Sequence, residues 1–477
     1  MSDNATNPGR THERFLTDPR AAHQKLRQDR FEPAEWTCRV IIGGRELAVC
    51  NYSAFGLAVI AASAVDCDEV VAAPLLLRDA EVARLQLRRV RVEPLADGRC
   101  KTAFAVVGEP LSLNRIDAVG RTQEAIAEHT RLLERAEAVP APFRQKVYEI
   151  RDALQELERL VERIAIAAPT ANGADQREFE QAVAELVADH LDRLFAAAYD
   201  QLAAVVAGFS SDEAERCHEL FREQLRHLIY QSPMFQRSYE KPLGYAGDYE
   251  MMNLVYRNED LGRSLFARCL SRYYINHPNA RAVRNRPAYL LRRIRERVAA
   301  RGGGRVRILS VASGPAREIQ LLLDDDGFDV DSVEIDLLDQ DVSALRNAQD
   351  QVRRIAQRRG VEPRVHFLHK AMANVLTGGL DGQYDFIYSA GLFDYFSDPL
   401  ARRAATRLYR LLDAGGELVI GNFKAVPENR AFMELALDWR LIYRAEDDLR
   451  RLYDGIARAL DVDAEPEQIN LFVTLRS

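Results

Sequence analysis

The stretch Val306-Arg307-Ile308-Leu309-Ser310-Val311-Ala312-Ser313-Gly314-Pro315-Ala316-Arg317-Glu318 decides how the rest of the chain is read. An apolar run alternating with arginine ends at Ser-Gly-Pro and passes into the helical spacing of Arg317 to Leu323. That is a strand feeding a helix through a tight turn, which leaves backbone N–H groups at a helix N-terminus. Such turns hold polar ligands or merely connect, and the downstream pattern has to choose between the two.

Downstream, a second buried strand at 332–338 ends at Asp339-Gln340-Asp341, and Ala344-Leu345 open another helix. An acid at the tip of the second strand, about twenty residues past the glycine turn, is placed to grip a ribose diol. Further strands are expected at 365–369, 385–389 and 416–423, with a helix at 399–412, and 469–475 as a reversed strand closing one edge. Strands alternating with helices mean an α/β, doubly wound, mostly parallel sheet with its ligand at the carboxyl ends of the strands.

This order resembles the class I S-adenosylmethionine-dependent methyltransferases over residues 285–477, and implies their Rossmann-like seven-stranded sheet. Their glycine-rich first motif reads Ser310-Val311-Ala312-Ser313-Gly314-Pro315-Ala316 here, keeping only the middle glycine. The resemblance implies cofactor contacts from Ala312, Ser313, Gly314 and Arg317. It adds Asp339 and Gln340 at the ribose, Lys370, Ala371 and Met372 at the adenine, and Ser389, Ala390 and Gly391 at the fourth strand tip. A nicotinamide-type Rossmann site competes for the same turn, although Leu411-Leu412-Asp413-Ala414-Gly415-Gly416-Glu417 before the fifth strand favours the methyltransferase.

More narrowly, Lys241-Pro242-Leu243-Gly244-Tyr245-Ala246-Gly247-Asp248-Tyr249-Glu250-Met251-Met252 and Tyr388-Ser389-Ala390-Gly391-Leu392-Phe393-Asp394-Tyr395 resemble one bacterial group. Its members are described as biosynthesis proteins for hydroxy fatty acid methyl ester signals. The resemblance implies methyl transfer to the carboxylate of a small apolar acid. A carboxylate is ionised at neutral pH and needs orienting cations or hydroxyls rather than a base. Candidates for the chemistry are Tyr245, His277, Asp394 and Tyr395; candidates for holding substrate are Tyr239, Tyr249, Arg281, Arg440, Tyr443 and Arg444. A hydroxyl acceptor would instead ask His277 or Asp394 to act as base.

Upstream, short β-type runs at 37–42, 45–50, 56–61, 69–76, 83–94 and 101–107 are broken by turn residues, which suggests a small barrel or sandwich. Asn51-Tyr52-Ser53-Ala54-Phe55-Gly56 resembles the motif of PilZ domains, β-barrels that bind cyclic di-GMP. The resemblance implies nucleotide contacts from Asn51, Ser53 and Gly56, with Arg27 and Arg30 standing for an arginine pair whose spacing is one residue short. Arginine forks suit phosphates and guanine edges. A nucleotide sensor built on a catalytically silent methyltransferase fold is the alternative to a regulated enzyme.

Between the two lie helical patterns. Val147, Ile150, Leu154, Leu157, Val161 and Ile164 form a stripe that suits either a core-facing helix or a homodimer contact. Segment 231–252, with its aromatics, glycines and prolines, reads as irregular, a lid or pocket wall. The expected divisions are 1–25 as a loose N-terminus, 26–115 as the barrel, 116–170 as a helical linker, 171–284 as a helical cap and lid, and 285–477 as the α/β domain.

A formal net charge of -7 argues against a nucleic-acid partner. No apolar run reaches membrane-spanning length, and a cytoplasmic protein is expected. The six cysteines form no Cys-x-x-Cys pair, so reduced thiols are expected and no metal.

Overall fold

A computed structural model describes residues 36–67, 69–168 and 173–477. The chain forms two compact units, the first ending at Glu134 and the second starting at Arg135.

The first unit is a closed antiparallel barrel of β1 (Cys38–Ile42), β2 (Arg45–Ser53), β3 (Gly56–Ala61), β4 (Val71–Leu77), β5 (Ala80–Pro94) and β6 (Cys100–Val106), ordered β1-β2-β3-β6-β5-β4. Alternation sends Cys38, Val40 and Ile42, and likewise Ala73, Leu75 and Leu77, into the centre. Closure leaves no strand edge. Register shifts between Val49 and Asn51, and between Arg89 and Arg91, bend the strands as closure requires.

The second unit holds the helices and the sheet together. In the helix Ala141–Ile166 the stripe Val147, Ile150, Leu154, Leu157 and Val161 is buried in a core shared with helices Gly173–Val206 and Ser211–Ile229. These side chains are covered within the chain, so a dimer would have to use another face. The segment expected to be irregular is regular over most of its length. Pro233–Glu240 is helical and so is Tyr249–Arg257, leaving 231–232 and 241–248 outside the helices. Asp248 caps the second of these helices, accepting from the Met251 N–H at 2.8 Å, and Arg237 grips the buried carboxylate through two bonds of 3.0 and 2.7 Å.

The sheet has seven strands: β7 (Val306–Val311), β8 (Val333–Asp339), β9 (Arg364–His369), β10 (Tyr384–Ser389), β11 (Leu412–Phe423), β12 (Ala459–Ala464) and β13 (Asn470–Arg476). Their order is β12-β13-β11-β10-β7-β8-β9, with β13 antiparallel to both neighbours and the other pairings parallel. The expectation that the last strand closes an edge is corrected. β13 is inserted between β11 and β12, and its run Leu471-Phe472-Val473 is fully buried, as an interior strand demands. The edge belongs to β12, whose alternating exposure marks a half-buried strand.

Candidate active site

The turn after β7 is built from backbone conformations that its side chains resist. Ala312, Gly314 and Ala316 have φ of 54°, 53° and 51°, all in the left-handed region. Glycine enters that region freely, whereas for alanine it costs roughly 1–2 kcal/mol. The outer glycines are absent, yet the left-handed conformation is retained, with strain at the two alanines.

Contacts from the neighbouring strand tips hold it there. The Ser313 N–H donates to the Leu338 carbonyl at 3.1 Å, and the Gly314 N–H to Asp339 Oδ2 at 2.8 Å. Asp339 Oδ1 accepts from the Asp341 N–H at 2.9 Å, and the Asp339 carbonyl accepts from the Lys370 N–H at 3.0 Å. One acid thus ties together the turns after β7, β8 and β9. Burial pushes its carboxyl above the usual range, against the pull of these N–H groups.

These turns form one wall of a cavity of about 560 Å³ at the carboxyl ends of the strands. Of the residues expected at a cofactor, Ala312, Ser313, Gly314, Arg317, Asp339, Gln340, Lys370, Ala371, Met372, Ala390 and Gly391 line it. Ser389 does not: it is buried at the end of β10 and its hydroxyl has no partner. Tyr245, Tyr249, Asp394 and Tyr395 also line the cavity. The Tyr395 phenol accepts from Trp439 Nε1 at 2.8 Å, and the residue is 40% exposed. Asp394 accepts from the Phe423 N–H at 2.6 Å, and burial pushes its carboxyl up to about 6.

The remaining candidates lie elsewhere, and each is spent on structure. His277 stacks on Phe432 with ring centres 3.8 Å apart and accepts the Asn279 N–H on Nδ1; burial drives its pKa down to about 3, which removes it as a base. Arg281 pairs with Glu467, and Arg440 with Glu215. Arg444 is buried against Asp398 and the Asn422 side chain. Tyr239 stacks on Tyr230, and Tyr443 lies under Arg430. None of these six lines the cavity.

Residues not singled out from the sequence complete it. Arg286, Asn279 and Tyr256 enter from the helices before the sheet, Glu318 from the helix Arg317–Asp324, and Trp439 from the segment after β11. Glu318 is buried and accepts from the Tyr388 phenol at 2.6 Å. Trp439 sits against Gly247, where any side chain would come within 2.6 Å of its ring, so the 241–248 loop needs glycine there. The aromatic signal in 241–252 pointed to this wall; the arginines of the helix Pro278–Arg301 offered no sign of which one turns inward.

The cavity lining carries polar atoms that the protein itself leaves unpaired. Ser313 Oγ, Asn279 Oδ1 and Arg286 Nε are buried with no hydrogen-bond partner, all in cavity-lining residues. An adenosine with an amino-acid chain supplies hydroxyls, an ammonium and a carboxylate, which suits such a lining.

The turn bound to an acid on the next strand and the cavity at the strand tips form a Rossmann-like nucleoside site, and with the family match they mark an S-adenosylmethionine-dependent methyltransferase. A family profile described as "Putative methyltransferase" matches residues 177–427, just over half of the chain. The chain belongs to that family. Solved structures that the chain matches include a possible exported protein from Bordetella parapertussis (15% identity, 62% of this chain and 96% of that one, TM-score 0.39). Others are the magnesium protoporphyrin IX methyltransferase ChlM of Synechocystis with bound S-adenosylmethionine (13%, 42% and 84%, TM-score 0.31) and the N-methyltransferase NodS of Bradyrhizobium japonicum with S-adenosylhomocysteine (15%, 48% and 97%, TM-score 0.30). No curated protein matches the chain.

The strained turn makes a prediction. Ala316→Gly relieves the left-handed alanine, so it should raise the thermal midpoint or leave it unchanged, worth up to about 1 kcal/mol. Ala356→Gly inside the helix Val342–Arg359 should lower it by about 1 kcal/mol. Equal losses in the two variants would show that the turn is not strained.

Proposed function

We propose that the protein methylates the carboxylate of a small apolar acid, of the hydroxy fatty type, using S-adenosylmethionine. The carrying observation is the apolar part of the cavity lining. Met252, Val283, Phe423, Phe432, Leu437 and Leu441 form it, an apolar surface suited to an alkyl chain. The resemblance of segments 241–252 and 388–395 to the fatty acid methyl ester group points the same way.

Bound S-adenosylmethionine supplies a methyl group on a sulfonium, open to in-line displacement by oxygen. The protein's part is positioning and the exclusion of water. Asp339, with the N–H groups around it, would hold the nucleoside, and Ala390 and Gly391 border the space where the reactants meet. Tyr395 and Trp439 close over it. A carboxylate acceptor needs no proton removed, which fits the loss of His277 as a base. Asp394, with a pKa of about 6 and buried, is a weak base for an alcohol.

Incubating the protein with cell extract and S-adenosylmethionine should add one CH₂ to the mass of an apolar acid, as an ester that alkali hydrolyses. A methylated product that survives alkali would contradict carboxylate transfer.

We further propose that the barrel is PilZ-like and regulates the enzyme through cyclic di-GMP. Supporting this is the turn at Asn51, Ser53 and Gly56. Ser53 pairs with Gly56 across β2 and β3, and a side chain at Gly56 would lie 2.7 Å from the Phe104 carbonyl oxygen. Arg27 and Arg30 lie outside the described residues. Calorimetry should detect cyclic di-GMP binding that Arg30→Ala abolishes; binding that survives would refute the arginine's role.

A further inference from the structure

Four arginines are buried among the described residues, and three of them meet carboxylates. Arg222 bonds Glu215 at 2.9 Å and Asp438 at 3.1 Å, Arg293 bonds Glu417 at 2.8 Å, and Arg444 bonds Asp398 at 2.8 Å. Arg286 is the exception. It is 7% exposed and faces the cavity. Its Nη1 donates to the Ala390 carbonyl at 3.0 Å, its Nη2 lies 3.3 Å from the Met252 sulfur, and its Nε has no partner. The Tyr256 phenol is hydrogen-bonded to the guanidinium, which leaves Nε and part of the fork free. No ion pair to Arg286 is formed among the described residues.

A guanidinium withdrawn from water without an anion is costly, by several kcal/mol. Two buried acids, Glu318 and Asp394, feel its charge without pairing with it: Glu318 accepts from the Tyr388 phenol and Asp394 from the Phe423 N–H. The other cations at the cavity are committed outside it: Arg317 is exposed and donates to Gln320, and Lys370 donates to the Gly379 carbonyl. Space is kept for the fork at the β10 tip, since a side chain on Gly391 would come within 2.8 Å of Nη1.

We infer that Arg286 is the carboxylate anchor of the cavity, its free N–H groups presented as a planar fork beside Ala390 and Gly391. An arginine is suited to this task because its charge is permanent and its donors match the two oxygens of a carboxylate. The inference rests on the methyltransferase reading, which brings two carboxylates to this place: the amino-acid end of S-adenosylmethionine and the acceptor acid.

Calorimetry on the full chain separates them with three ligands. S-adenosylhomocysteine carries the amino-acid carboxylate, 5′-methylthioadenosine has the nucleoside without it, and octanoate, added over saturating S-adenosylhomocysteine, stands for the acceptor. Arg286→Gln should weaken one of the two carboxylate ligands about tenfold or more, as loss of a charged hydrogen-bond pair does, and leave methylthioadenosine unchanged. A loss confined to S-adenosylhomocysteine assigns the anchor to the cofactor, and a loss confined to octanoate assigns it to the acceptor. Arg286→Lys keeps the charge without the fork and should recover part of the affinity. If neither carboxylate ligand loses affinity, or if methylthioadenosine loses as much as S-adenosylhomocysteine, the inference is overturned. Wild-type protein that binds neither nucleoside would instead contradict the cofactor reading.

Discussion

The left-handed backbone at Ala312, Gly314 and Ala316 sets the geometry on which the site depends. By turning the chain sharply after β7 it aims the Gly314 N–H at Asp339, and Asp339 in turn orders the next two strand tips. Strain of this kind persists only where the surroundings over-determine it. Here that means a buried acid and a strand-tip carbonyl accepting the turn's N–H groups, with Ile319 and Leu322 anchoring the following helix in the core. Two alanines standing where glycines would be easier indicate that packing, not local preference, maintains the turn.

Opposite it, the cavity is covered by segments that also carry unusual backbone. Lys241 and Asp438 have φ of 47° and 48°, and Lys241 Nζ donates both to the Asp438 carboxylate and to its carbonyl at 2.7 Å. Asp438 also takes Arg222 from the helix Ser211–Ile229. This charged cluster fastens the 241–248 loop to the segment carrying Trp439, which leans on Gly247 and Tyr395. The helices before the sheet are therefore part of the site rather than a separate cap.

Much of the architecture was legible because it rests on periodicity. The six barrel strands, the long helices and the alternation of β7 to β11 all follow from the spacing of apolar residues. The position of β13 was not legible, because a buried run of residues does not say which neighbours bury it. β12 was missed although Leu460-Asp461-Val462-Asp463-Ala464 alternates apolar and polar, because the run is short and its apolar face is only half-buried. At the site, the turn residues lie at strand tips because chain connectivity fixes them there. Side chains reaching in from elsewhere are not so fixed. Arg281, Arg286, Arg440 and Arg444 look alike as letters, and only packing shows that three are consumed by partners while the fourth faces the cavity. His277 misled for the same reason: a histidine before a helix starting at proline reads equally as a base or as a cap.

The central claim is that one continuous site runs from Asp339 to the tip of β10. A crystal structure of the protein with S-adenosylhomocysteine tests it most directly. The ribose should lie against the Asp339 carboxylate, the adenine beside Ala371 and Met372, and the sulfur near Ala390 and Gly391. A nucleoside bound away from Asp339, or a cavity left empty at saturating ligand, would contradict it.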